Sequence, residues 1–214
     1  MKKAILIVAL ALMNFSCKNT KPAGFDLANI NGQVSITQVM EQTGLKLENG
    51  KSGAMTLSGY KIFESSDPKI LKFGDAELAG KGTDSVNKVL IHYSVKDNTI
   101  HLVELRLFSE TQVKLLTAAM DQKLGKAPYP QDAYTTVFNK NIRYFERTWL
   151  DVEHSMAYFL TVSLNPQDKE EARLAMVNYT DKPMAQLTSL KNYTPDVGFM
   201  IEKVTAAMKQ KANK

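Results

Sequence analysis

The order of elements in this 214-residue chain predicts an α+β fold, antiparallel β-sheet with helices packed on one face. Three observations carry it. Residues 54–108 hold four runs with the two-residue alternation of half-buried strands, residues 109–125 change to helical spacing, and residues 134–179 return to strands separated by short polar loops. Short connections between neighbouring strands require antiparallel pairing.

Taken in order, Ser35 with Gln38 three places later is a capping box, Ile36, Val39 and Met40 keep helical spacing, and Gly44 can end that first helix. Strands are expected over Ala54–Glu64, Lys69–Ala79 with a break at Gly74-Asp75, Lys88–Val95 and Thr99–Phe108. Ser109 then opens a helix whose Val113, Leu116, Met120 and Leu124 form one stripe, with Gly125 at its end and Pro128 beyond. A second strand set runs through Tyr134–Asn139, Ile142–Leu150, Met156–Leu164 and Ala172–Tyr179. Met184–Leu190 can form a short helix. Thr194-Pro195-Asp196 opens the last one, with Val197, Met200, Ile201, Val204 and Met208 on one side. The same order is also that of two tandem units, each a helix followed by a β-meander. In that form it resembles the proteinaceous β-lactamase inhibitors in architecture alone, which carries no function.

The front end is an export address. Met1-Lys2-Lys3 is basic, Ala4–Met13 is an unbroken apolar run of ten, and Asn14-Phe15-Ser16-Cys17 leads into polar sequence. Ten apolar residues are about half of what a spanning helix needs, so the segment reads as a secretory signal. It resembles a bacterial lipoprotein signal, in which Cys17 would be acylated and become the first mature residue. Ser16 fits the small residue wanted before it, although Asn14 stands where leucine is preferred. By the same resemblance Lys18, in place of aspartate, implies the outer membrane, and the lack of acidic residues in Lys18–Lys21 implies its periplasmic face. The expected organisation is a signal at 1–16, a lipidated flexible tether at 17–33 and one α+β domain at 34–214.

Losing residues 1–16 removes Lys2 and Lys3, so the formal charge falls from +5 to +3. That small excess, spread over dispersed lysines without a recognisable reading motif, disfavours nucleic acid as a partner. With Cys17 acylated, the chain's single cysteine is spent, which leaves no disulfide, thiol nucleophile or thiolate zinc ligand.

Catalytic signatures are thin. Gly44 and Gly50-Lys51-Ser52 are spaced one residue too far for a phosphate loop, and Ser-x-x-Lys at Ser58, Ser66 and Ser85 lacks its companion motifs. Gly-x-Ser-x-Gly and His-Glu-x-x-His are absent. Asp151-Val152-Glu153-His154 holds three possible ligands, too few for zinc and typical of a solvated turn. Keeping the apolar residues of Lys88–Val95 and Thr99–Phe108 on one face requires a three-residue loop, Lys96-Asp97-Asn98 with Asn98 left-handed. That register sets His92 opposite Leu102 and turns His101 to the other face. No metal site and no cofactor are expected.

The least ordinary segment is Arg143-Tyr144-Phe145-Glu146-Arg147-Thr148-Trp149, with two of four arginines and the only tryptophan. Alternation puts Arg143, Phe145, Arg147 and Trp149 on one face, where arginine beside aromatics can anchor a partner. If Phe145 and Trp149 are core instead, the arginines mark the sheet margin. The expectation is a non-enzymatic, membrane-anchored module binding a protein or another envelope component through this strand. A carboxylate-dependent hydrolase and an envelope scaffold are the alternatives.

Overall fold

A computed structural model describes residues 24–51, 57–137, 140–192 and 197–212. The chain is α+β. Among the described residues, nine strands and four helices follow one another as α1 (Ile36–Thr43), β1 (Tyr60–Ser65), β2 (Lys72–Phe73), β3 (Ala76–Glu77), β4 (Lys88–Ser94), β5 (Ile100–Leu107), α2 (Glu110–Leu124), β6 (Tyr129–Val137), β7 (Lys140–Asp151), β8 (Met156–Leu164), β9 (Glu170–Asn178), α3 (Lys182–Asn192) and α4 (Val197–Ala212). Seven strands form one antiparallel sheet in the order β1-β4-β5-β9-β8-β7-β6. Two meanders, β1-β4-β5 and β6-β7-β8-β9, are thus joined edge to edge through β5 and β9. The expected strand at Lys69–Ala79 folds aside as a 3-10 turn at Pro68–Ile70 and the small hairpin β2-β3, which reverses through left-handed Gly74.

The helix ends follow the local chemistry. In α1 the amide of Gln38 donates to Ser35 Oγ at 3.2 Å and the amide of Ser35 donates to Gln38 Oε1 at 2.8 Å; Gly44 ends the helix at φ 67°. In α2, Val113, Leu116 and Met120 are buried against the sheet and Leu124 packs beside them. β6 begins earlier than expected and includes Pro130, a residue with no N–H to give to a ladder that is tolerated in an edge strand such as this one.

Helices lie against both faces, which the one-face expectation did not include. Alternation sends Val103, Leu105, Tyr158, Leu160, Leu174 and Met176 to a first face, where they pack with Ile36 and Val39 of α1 and with α2. Their neighbours Leu102, Ala157, Phe159, Ala175 and Val177 point to a second face and pack with Met184 of α3 and Ile201 of α4. Met156–Leu160 is therefore buried throughout.

The tether cannot extend to residue 33. Phe25, Leu27, Ala28 and Ile30 are buried in the main core, in a 3-10 turn whose Asp26 accepts from the amides of Ala28 at 2.8 Å and Gly74 at 2.9 Å. The domain therefore begins by Phe25, and the hydrophobic residues at 25, 27 and 30 are what hold that segment down. The signal segment and Cys17 lie outside the described residues.

Candidate functional site

β7 carries the expected surface, and α2 divides it. Phe145, Arg147 and Trp149 pair with Val162, Leu160 and Tyr158 and so share the first face. Trp149 is only 2% exposed, and its Nε1 donates to the carbonyl of Gly125 at 2.8 Å, beneath the end of α2. This corrects its expected role, since a ring enclosed by the core and tied to a helix terminus has no face to offer a partner. Arg143 pairs with Tyr134, and its side chain lies outside the described residues.

Toward the start of β7 the strand runs out from under α2. Phe145 and Arg147 are half-buried there, and with Val162 they floor an open cleft of about 470 Å³ whose other wall is α2. Val113, Thr117 and Ala118 line that wall, and Lys114, Asp121 and Glu170 bring charge to the rim. The size falls in the range of small-ligand and side-chain pockets. Arg147 Nη1 stands 3.6 Å from Asp121 Oδ1, beyond hydrogen-bond length, whereas Lys126 Nζ lies 2.6 Å from Asp121 Oδ2. Asp121 is thus engaged mainly by the lysine and holds Arg147 in a looser ion pair, and the Arg147 side chain stays 36% exposed, with no hydrogen bond among the described residues, where it can meet an incoming acceptor.

The histidines behave differently from expectation in one respect. Asn98 is left-handed at φ 61° and His92 does oppose Leu102. A β-bulge between His92 and Tyr93 pairs Tyr93 with Ile100, and His101, the extra residue, joins second-face residues. Its ring meets Tyr60 edge-on at 5.8 Å and its Nδ1 lies 3.1 Å from Asp181 Oδ2. The Tyr60 hydroxyl donates to that same oxygen at 2.8 Å, and Asp181 Oδ1 accepts from the amide of Met184 at the start of α3. Burial first, then the Asp181 bond and charge, push the Tyr60 phenol up to about 12. Aspartate, histidine and tyrosine here form a lock between β1, β5 and α3, with the carboxylate already occupied by helix capping. His92 has a separate partner, Glu104, 2.9 Å away on the same face.

The Asp151–His154 segment is the β7-β8 turn. Asp151 accepts from the amide of His154 at 3.1 Å and lies 2.8 Å from its Nδ1, while Ser155 is left-handed. A larger polar groove of about 800 Å³ runs between the 65–67 and 81–86 loops, floored by Lys88, Glu64 and Phe108. Sequence reading gave no sign of it, because its walls come from loops without periodicity.

Comparisons with protein-family models, with curated proteins and with solved structures find no match to this chain.

Proposed function

We propose that this chain is an exported lipoprotein, acylated at Cys17 and held at the periplasmic face of the outer membrane, whose domain binds an envelope protein through the cleft between α2 and β7-β8. The cleft is the single observation that carries the binding reading. An apolar floor of Phe145 and Val162, with Val113 on the α2 wall, beside a loosely paired guanidinium suits an apolar side chain next to a carboxylate on the partner. The partner's apolar group would fill the hollow, and its carboxylate would complete Arg147. The anchor rests on the residues before Cys17 and would act only to hold the domain near its partner.

Two measurements test the halves separately. Radiolabelled palmitate should enter the full chain and be lost in Cys17→Ser; labelling that persists in that variant contradicts the anchor. Capture from detergent-solubilised envelopes should fall about tenfold or more for Phe145→Ala and for Arg147→Ala, the loss expected of interface anchors. Capture unchanged in both contradicts the cleft.

A further inference from the structure

The second face of the sheet carries a transverse row of cations. Lys88 of β4 pairs with Arg106 of β5, and Arg106 pairs with Arg173 of β9. Neighbouring strands lie about 5 Å apart, so three positive side chains are set side by side within about 10 Å. Like charges directly opposite one another destabilise a sheet, and two carboxylates one step along the strands offset them. Lys88 Nζ lies 3.0 Å from Glu64 Oε1, and Glu104 Oε2 accepts from Arg106 Nη2 at 3.1 Å and from Arg173 Nη2 at 2.6 Å.

Glu64 is about as exposed as the Lys88 it meets, and of the two carboxylates Glu104 alone is fully buried. Glu104 is 1% exposed, whereas the Arg106, Arg173 and Lys88 side chains keep 34%, 29% and 25% of their surface. A buried carboxylate therefore holds two guanidiniums from beneath and leaves their outer parts at the surface. The bond to Glu104 uses one of Arg106's five N–H donors. The row continues through Thr161 to Glu146, two strands beyond Arg173.

We infer that Arg106, with Arg173 and Lys88 beside it, forms an oxyanion site for a phosphate-bearing group, on the opposite face of the sheet from the cleft. Guanidinium forks match phosphate oxygens in pairs, and preorganisation by Glu104 removes part of the ordering cost of binding. Glu104 is a positioning residue here, and Arg106 makes the contact.

The test is titration of the full chain carrying Cys17→Ser with inorganic phosphate at low ionic strength, followed by amide chemical shifts. Saturable shifts around Arg106 and Arg173 are expected, with affinity reduced at least tenfold in Arg106→Gln and less in Lys88→Gln. Equal shifts from chloride at matched ionic strength, or phosphate affinity unchanged in both variants, would overturn the site. Lys88→Gln keeps the test readable if Arg106→Gln unfolds, because it leaves the buried Glu104 with both arginines. Flotation with phosphatidylglycerol-phosphatidylcholine vesicles separates the sources. Co-flotation that Lys88→Gln and Arg106→Gln weaken makes the phosphate a lipid headgroup's, and phosphate binding without flotation makes it a soluble one.

Discussion

Trp149 and Phe145 lie four residues apart on one strand face and are expected to respond in opposite ways. Trp149→Ala removes a fully buried ring and the donor to Gly125, so thermal or denaturant unfolding should register a loss of about 3 to 5 kcal/mol. Phe145→Ala, at a half-buried position flooring the cleft, should leave the melting temperature nearly unchanged while partner capture falls. Two phenols give a pH signature. Burial and Asp181 raise Tyr60 to about 12, and burial followed by the Asp151 charge raises Tyr158 to about 12. An unfolded phenol titrates near 10, so the fold favours the protonated form. That stability is fully present below about pH 10 and is lost as pH rises toward about 12. Unfolding followed by circular dichroism against pH should show the loss in that window and a shallower one in Tyr158→Phe; an unchanged slope in the variant would contradict the assignment.

At the scale of elements, α1 was legible because its capping box and terminating glycine agreed, α2 was legible from its apolar stripe and Gly125 although the Ser109 side chain caps no amide there, and the β4-β5 register was legible because only one loop length kept the apolar residues together. Gly44 shows the same logic as a test. Its φ of 67° means that Gly44→Ala should cost about 1 kcal/mol, measured by denaturant unfolding. The bulge at His92/Tyr93 escaped because alternation before and after it is regular, and its one extra residue shifts His101 alone. The second-face helices had a signal that went unused. Met156-Ala157-Tyr158-Phe159-Leu160 is apolar without alternation, which marks a strand covered on both sides. The cation row could not be read at all, because the pairing of β5 with β9 joins residues 67 apart in the chain, Arg106 and Arg173.

For the whole molecule, the boundary moves from residue 34 to residue 25 or before. Phe25, Leu27 and Ile30 are isolated apolar residues in polar sequence, too few to show a period, and only tertiary packing reveals them as core. A chain beginning at Gly24 should fold cooperatively. One beginning at Gln33 loses three large buried side chains, each worth about 1.5 to 3 kcal/mol, and should melt far lower or remain unfolded; equal melting temperatures would contradict the packing of that segment. The cleft and the arginine row lie on opposite faces of one sheet, so the proposed docking of a protein at the cleft leaves the proposed phosphate site open. Most direct for the cleft is a photo-crosslinking amino acid placed at Thr117, inside it, and at exposed Val95, outside it, in the full chain within intact envelopes. A discrete adduct from Thr117, absent from Val95 and lost when Arg147→Ala is added, is the expected result; equal adducts from both positions, or a Thr117 adduct indifferent to Arg147→Ala, would contradict docking at the cleft.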